Sequence, residues 1–252
     1  MGNCFAPTAK GGKSVERRNA VEKNKGDSKN QNLNQSRNLN FSDKYGNFSV
    51  SRVETSITNN VKTRVQSGKP QVFKLKDIWN GSPVVFYLFR RFGCPLCRNT
   101  ALKISNVGPI LEKHGVKLVG IGLSYRSIDG MIQGNYWGDN DIYVNEGAAL
   151  YKALELKIVP WSSVVSKQVV DLNAESKESG VVGDFHVRSL EQGRRLGGLF
   201  VISKSGDSLY EWRQQRLGEV PPFNEIFKAL QIDTKEIENF PEKETAQILT
   251  KA

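Results

Sequence analysis

Short runs of apolar residues, separated by polar turns, divide most of the chain after residue 70 into predicted strands and helices. Two runs, residues 84–90 and 116–123, are almost entirely apolar, which is typical of strands buried on both faces of a sheet. Between them, apolar residues recur at helical spacing over residues 95–114, which predicts one helix that Pro109 kinks and Gly115 ends. A buried strand, a helix and a second buried strand therefore follow one another directly.

Weaker patterns complete the predicted order of elements. They predict short strands at residues 71–75, 141–144, 199–203 and 208–212, a helical turn at 76–79, and helices at 128–134, 146–154 and 222–230. Residues 204–207 predict the hairpin turn between the last two strands, and residues 159–192 predict an irregular segment. Parallel strands joined by helices, then a hairpin and a closing helix, predict an α/β fold: a thioredoxin-like mixed sheet flanked by helices.

Composition separates this folded part from two tails. Residues 10–66 are rich in Asn, Ser, Lys and Gly and poor in large apolar side chains, so burial there cannot offset the entropy of ordering the chain. The sequence therefore predicts a disordered basic tail over residues 1–69, a thioredoxin-like domain over residues 70–232, and a charged C-terminal tail over residues 233–252.

Most of the positive charge lies in the N-terminal tail. The first 70 residues contain thirteen Lys or Arg and five Asp or Glu, which accounts for +8 of the net charge of +10. The charge is diffuse and lacks interleaved aromatic residues, so we expect no nucleic-acid partner. Two interpretations stay open, a solvated linker and a segment that binds an anionic membrane surface.

The first residues predict where the protein is found in the cell. No apolar run reaches the roughly 18 residues of a membrane span, and no apolar core of a secretory signal is present, so we expect a cytoplasmic protein. Gly2 is the acceptor residue for myristoylation, and Cys4 is a candidate for palmitoylation. Lipidation and the basic tail together would hold the chain at a membrane. Ala6 and Pro7 depart from the usual myristoylation pattern, so an unmodified terminus is the alternative.

Candidate chemistry lies where the first buried strand meets the long helix. Cys94 and Cys97 stand at the predicted helix N-terminus, where unpaired N–H groups and the helix dipole stabilise a thiolate. We expect Cys94 to be the nucleophile and Cys97, one turn along, to attack whatever forms on Cys94. Gly93 allows the chain to turn before Cys94 without steric cost. Three nearby side chains add positive charge: Arg90, Arg91 and Arg98.

Two other roles of the cysteine pair are weaker alternatives. A zinc site needs two more ligands, but the chain has no second Cys-x-x-Cys and only two histidines, His114 and His186, which are far apart in the sequence. An inert pair of buried thiols is the other alternative. Thiols stay reduced in the cytosol, where a Cys-x-x-Cys is more often catalytic or metal-binding than structural. Because the further zinc ligands are lacking, a redox dithiol is favoured and we expect no metal.

The residues around the cysteines resemble those of a known family. Residues 89–98, Phe-Arg-Arg-Phe-Gly-Cys-Pro-Leu-Cys-Arg, are similar to the active-site segment of the peroxiredoxin-like 2 family, above all to its prostamide/prostaglandin F synthase branch. Further segments that resemble the family are residues 114–120, 134–137, 150–154 and 196–207. The resemblance covers residues 73–230 and implies a thioredoxin-like fold and a two-electron thiol reductase.

The resemblance also implies a reaction and its partners. The synthase branch reduces the endoperoxide of prostaglandin H, or of its ethanolamide, to the F-series alcohol, with electrons that come from NADPH through thioredoxin. It therefore implies a lipid endoperoxide substrate, thioredoxin as the reductant and no bound cofactor. The Pro-x-x-x-Thr-x-x-Cys pattern of peroxiredoxins is absent, because Tyr87 and Arg91 stand in those places.

Two alternative functions stay open. The first is a general thioredoxin-like antioxidant that acts on lipid hydroperoxides or protein disulfides. The second is a membrane-tethered, non-enzymatic interaction protein, which an ordinary thiol pKa near 8.5 at Cys94 would favour.

Overall fold

A mixed β-sheet forms the centre of the chain in the computed structural model, which describes residues 40–65, 69–184 and 193–238. The strands are β1 (Ser49–Arg52), β2 (Thr55–Thr58), β3 (Val61–Arg64), β4 (Val72–Lys74), β5 (Val84–Leu88), β6 (Lys117–Gly122), β7 (Asp141–Val144), β8 (Gly198–Ile202) and β9 (Ser208–Arg213). Seven of them form one sheet in the order β4-β1-β7-β6-β5-β8-β9, and β2 pairs with β3 in a separate hairpin.

Helices cover the sheet and connect its strands. They are α1 (Phe41–Tyr45), α2 (Pro95–Ser105), α3 (Gly108–Lys113), α4 (Ile128–Gln133), α5 (Ala149–Ala153), α6 (Trp161–Val164), α7 (Lys167–Glu178), α8 (Phe223–Ala229) and α9 (Lys235–Glu238). None of the helices in the described part of the chain has the length and apolar composition that a membrane crossing needs.

The central strand β5 carries the predicted fold. All five of its residues are buried, and it runs parallel to β6 and antiparallel to β8. The β5–helix–β6 unit and the β8–β9–α8 unit thus share one sheet, which is the thioredoxin-like arrangement. The predicted fold class is confirmed.

Side chains of β5 point alternately into two apolar cores, as the two-residue period of a strand requires. Val85 and Tyr87 belong to the core that contains Trp137, whereas Phe86 and Leu88 belong to the core that contains Trp79. Burial on both faces explains why the run of residues 84–88 in the sequence is continuous instead of alternating.

The predicted N-terminal boundary at residue 70 is wrong for residues 41–64. These residues form α1 and the first three strands, and β1 lies inside the central sheet, where it pairs with β4 and β7. A few apolar side chains hold the segment in place, since Phe41, Val50 and Val53 are all buried. Residues 1–39, with Gly2 and Cys4, lie outside the described residues.

Two predicted helices are each divided in the structure. The segment 95–114 contains α2 and α3, and Pro109 lies in the first turn of α3 instead of kinking a continuous helix. The segment 146–154 begins with a 3₁₀ turn, and α5 starts only after Gly147 and Ala148, which both have positive φ. Gly115 does end the helical segment in the left-handed conformation, at φ +68°.

The segment predicted to be irregular, residues 159–192, contains the twelve-residue helix α7. The side chain of Ser166 caps this helix by accepting a hydrogen bond from the Val169 amide. The buried residues of α7 are Val169 and Ser176. Because one of the two is a small polar residue, the helical spacing of apolar residues is hard to recognise in the sequence.

The predicted C-terminal tail starts as part of the folded unit. Glu236 in α9 forms ion pairs with Lys113 at 2.9 Å and with His114 at 3.0 Å, at the end of α3. Residues 239–252 lie outside the described residues.

Candidate active site

The two cysteines lie at the N-terminal end of α2, directly after the loop that leaves β5. Cys94 is the N-cap residue and Pro95 opens the helix, where its missing N–H leaves no hydrogen bond unmade. Cys97 follows one turn along. Both thiols are free and both residues are buried, each with 6% of its surface exposed.

The surroundings of the two thiols shift their pKa values in opposite directions. A hydrogen bond from the Cys97 thiol lowers the pKa of Cys94 well below its usual range, and the charges of Arg90 and Arg91 act in the same direction while burial opposes them. The same hydrogen bond, together with burial, raises the pKa of Cys97 well above its usual range. Of the two thiols, Cys94 is therefore the one that loses its proton first.

Arg90 is the cation in direct contact with the thiolate. Its guanidinium is buried, with 4% of the residue exposed, and Nη2 donates a hydrogen bond to Cys94 Sγ. Nη1 donates to the carbonyl of Gly193 at 2.7 Å. Burial lowers the pKa of Arg90, but its interactions with Cys94 and Cys97 outweigh burial and raise the pKa overall, so this arginine stays charged.

Arg98 is the third nearby arginine, and its hydrogen bonds go to other groups than the thiols. Its guanidinium donates from Nε to the Phe92 carbonyl at 2.8 Å, from Nη1 to the Val182 carbonyl, and from Nη2 to Asp184 Oδ2 at 2.7 Å. It also stacks over the ring of Tyr136, 5.1 Å from the centroid. Because its charge is balanced by Asp184, Arg98 joins the active-site loop to the segment at residues 182–184.

Gly93 is required for space and not for a left-handed turn. Its φ is not positive, but a Cβ there would lie 2.6 Å from both the Asp184 carbonyl oxygen and Ser127 Oγ. The close approach allows the Asp184 amide to donate to the Gly93 carbonyl at 2.8 Å. The predicted reason for this glycine is therefore corrected.

Arg91 adds positive charge near Cys94, and one of its N–H groups has no hydrogen-bond partner among the described residues. It lowers the pKa of Cys94, and its buried Nε has no hydrogen-bond partner in the described part of the chain. A buried guanidinium donor without a partner is costly, so it is suited to an acceptor that arrives with a ligand.

Two tyrosines that the sequence did not single out lie close to the thiols. Burial and the charge of Cys97 raise the pKa of Tyr87, so its phenol stays protonated. Tyr151 donates its hydroxyl to the carbonyls of Phe89 and Ile121, at 3.0 and 2.6 Å, which fixes the start of the active-site loop. Their apolar surroundings in the sequence gave no sign of this role, and neither did the segment that contains Asp184.

No group of three or more metal-ligating His, Cys, Asp or Glu side chains occurs among the residues that the structure describes. His114 pairs with Glu236, and His186 lies outside the described residues.

Comparison with known proteins identifies relatives of this chain. The profile of the AhpC/TSA antioxidant enzymes matches residues 103–216, a stretch that begins after the two cysteines. A prostamide/prostaglandin F synthase from Salmo salar is 34% identical over 164 residues, which cover 63% of this chain and 80% of the relative. The human protein of that name is 31% identical over 172 residues, covering 66% of this chain and 83% of the relative.

Among solved structures, a peroxiredoxin Q mutant from Xanthomonas campestris is similar to this chain. It is 14% identical, with a TM-score of 0.45, and the match covers 74% of this chain and 90% of that one.

Proposed function

The chain belongs to the family of the prostamide/prostaglandin F synthases, and from that membership we propose that it reduces O–O bonds with the Cys94–Cys97 dithiol. Membership makes it a thiol-dependent oxidoreductase. The observation that carries the proposal is the contrast between the two free, buried thiols at the helix N-terminus, where the pKa of Cys94 is lowered and the pKa of Cys97 is raised.

The first step is attack of the Cys94 thiolate on one oxygen of the peroxide. The O–O bond breaks, one oxygen stays bound to sulfur, and the other leaves as an alkoxide that takes up a proton. Cys97 then loses its proton and attacks the Cys94 sulfur, which expels the second oxygen as an alcohol and forms the Cys94–Cys97 disulfide. The dithiol loses two electrons and the O–O bond gains them.

Arg91 is the residue suited to the departing oxygen. The two terminal nitrogens of Arg90 already donate to Cys94 and Gly193, whereas Nε of Arg91 has no partner among the described residues. A fixed cationic donor at the place where charge develops stabilises the transition state.

The substrate we propose is a lipid endoperoxide of the prostaglandin H type, in agreement with the name of the relatives, prostamide/prostaglandin F synthase. Thioredoxin would return the disulfide to the dithiol with electrons from NADPH, so the chain itself needs no bound cofactor. The alternative substrate is a lipid hydroperoxide or a protein disulfide, which the match to the antioxidant enzymes favours.

A thioredoxin-linked assay tests the proposal. Purified chain is mixed with thioredoxin, thioredoxin reductase and NADPH, and NADPH oxidation is followed with prostaglandin H, a fatty-acid hydroperoxide or an oxidised protein. We expect turnover with an O–O substrate, and we expect Cys94→Ser and Cys97→Ser to abolish it. Cys4→Ser is the matched control and retains turnover. Full activity of Cys94→Ser would refute the proposal.

Attachment to the cytoplasmic face of a membrane is a further part of the proposal. It depends on Gly2, Cys4 and the basic residues that precede the described part of the chain. Metabolic labelling with a clickable myristate tests it, with Gly2→Ala as the control that cannot be labelled. Absence of label on the unaltered chain would show that Gly2 is not myristoylated and would refute this part of the proposal.

A further inference from the structure

Three arginines surround the dithiol, and they differ in what balances their charge. Arg98 pairs with the carboxylate of Asp184 at 2.7 Å. Arg90 has no carboxylate partner among the residues that the structure describes, and it donates hydrogen bonds to the Gly193 carbonyl and to the Cys94 sulfur. The thiolate is therefore the anion that balances the charge of Arg90.

Because Arg90 is buried, its pairing with the Cys94 thiolate has a large effect on the stability of the reduced state. Arg90 has only 4% of its surface exposed, and a guanidinium taken out of water is stable only if an anion and hydrogen bonds replace its hydration. Arginine cannot escape the cost by losing its proton, because its pKa lies too high. In the dithiol state the requirement is met, since the thiolate and the Gly193 carbonyl both accept from it.

Disulfide formation removes the anion and leaves the cation. When Cys94 and Cys97 join, both sulfurs become neutral, and Arg90 keeps only a carbonyl and a weak sulfur acceptor. Arg98 is unaffected, because its carboxylate partner takes no part in the reaction. The oxidised state therefore holds a buried, unbalanced charge that the reduced state does not hold.

We propose that Arg90 sets the reduction potential of the pair, making the Cys94–Cys97 disulfide a strong oxidant that an ordinary dithiol protein reduces readily. The inference rests on the proposed function only in requiring that these two cysteines form a disulfide. In glutathione the balanced reaction is disulfide plus two glutathione thiols giving the dithiol and oxidised glutathione. Of the two protons released, one goes to Cys97, and the other remains in solution because Cys94 stays a thiolate.

This role differs from that of a structural arginine that merely fixes Gly193. A structural role needs the hydrogen bond to the Gly193 carbonyl, whereas the proposed role needs the positive charge beside Cys94. Arg90→Lys keeps the charge without the forked geometry, and Arg90→Met removes the charge but keeps most of the side-chain volume. The two substitutions therefore separate the roles.

The experiment measures the dithiol–disulfide equilibrium in glutathione buffers at pH 7. The full-length chain carries Cys4→Ser in every variant, so that only two thiols take part. We expect Arg90→Met to shift the equilibrium at least tenfold toward the disulfide, which is about 30 mV for a two-electron couple. Arg90→Lys should shift it less. Arg52→Met, which removes a half-exposed arginine paired with Asp141, is the matched control and should shift it by less than twofold.

An Arg90→Met equilibrium equal to that of Arg52→Met, or a shift toward the dithiol, would overturn the inference. A second measurement needs no substitution at Arg90. If Cys94 is a thiolate in the reduced form, each disulfide that glutathione reduces releases one proton, and the equilibrium constant changes about tenfold per pH unit near neutrality. An equilibrium constant that does not change with pH would mean that Cys94 carries a proton in the reduced form, and would overturn the inference as well. Neither measurement involves a peroxide, so loss of O–O reduction alone would refute only the proposed function.

Discussion

Cys94 and Cys97 have the same chemistry as free residues, and their neighbours give them different roles. The hydrogen bond between the two sulfurs lowers one pKa and raises the other, and the arginines add to the effect at Cys94. A thiolate is the reactive form of cysteine, so Cys94 is prepared for attack while Cys97 keeps its proton. The opposite pKa shifts therefore suit Cys94 to the role of nucleophile and Cys97 to that of the resolving thiol, which attacks the Cys94 sulfur in the second step.

The contribution of the Cys97 hydrogen bond can be isolated with a matched pair of substitutions. Cys97→Ser keeps a donor next to Cys94, whereas Cys97→Ala removes it. We expect the pKa of Cys94 to stay low in the serine variant and to rise in the alanine variant, because the donor is the largest stabilising influence on the thiolate. Iodoacetamide alkylation between pH 4 and 10 measures it, and each unit of rise slows the reaction about tenfold at low pH. Equal profiles would contradict the role of the hydrogen bond.

The lowered pKa of Cys94 also fixes the sign of a stability effect. A group whose pKa is lower in the folded state adds stability that is fully present above the ordinary thiol pKa of about 8.5. That contribution is lost as the pH falls through the lowered value. The raised pKa of Cys97 acts in the opposite direction and loses its contribution as the pH rises through the raised value.

At the scale of elements, the active-site loop and helix α2 are held by a salt bridge that joins distant parts of the chain. Arg98 on α2 is almost fully buried and contacts Asp184, which is 86 positions away in the sequence. Through Asp184 it also supports the backbone hydrogen bond to Gly93. The position of Cys94 therefore depends on residues that the motif itself does not include.

Removing the carboxylate tests this dependence. Asp184→Asn leaves the buried guanidinium of Arg98 without an anion, so we expect a loss of about 1–3 kcal/mol in the free energy of unfolding. Asp141→Asn breaks the half-exposed pair with Arg52 and is the matched control, with an expected loss of less than about 1 kcal/mol. Urea denaturation of both variants gives the comparison. Equal losses would show that the Arg98–Asp184 pair contributes no more than a surface pair.

The elements that the sequence predicts well are those whose burial is uniform. Strands β5, β6 and β7 and the β8–β9 hairpin follow directly from apolar runs and a turn, and their order leads to the fold. Helix α7 could not be predicted, because Ser176 occupies one of its two fully buried positions. Strand β1 could not be predicted either, because its pairing with β4 and β7 depends on residues far along the chain.

The same distinction applies within the site. The cysteines and their helix N-terminus follow from local sequence, since Cys94, Pro95 and Cys97 are neighbours. The separate roles of Arg90, Arg91 and Arg98 do not, because each is decided by a partner from another segment or by the lack of one in the described residues.

For the whole molecule, the position of β1 predicts where the chain can be shortened. Deletion of residues 1–39 removes none of the described elements, so we expect a folded protein with an unchanged unfolding free energy. Deletion of residues 1–69 removes β1 from between β4 and β7 and exposes the edge of β7, so we expect a loss of several kcal/mol or failure to fold. Circular dichroism and urea denaturation measure both, and equal stability of the two would place β1 outside the cooperative unit.

The insertion of β1 into the sheet has a consequence for the order of events during synthesis. Arg52 in β1 bonds to Asp141, 89 positions later, so β1 leaves the ribosome long before its partner strand exists. Contacts between such distant residues close large loops and slow folding relative to proteins with mainly local contacts. The nascent chain can pair β1 with β4 early, but the other edge of β1 stays unpaired until translation has passed β7, when both cysteines have already been made. Translation speed and chaperone access over that interval then decide how much of the newly made protein reaches the folded state.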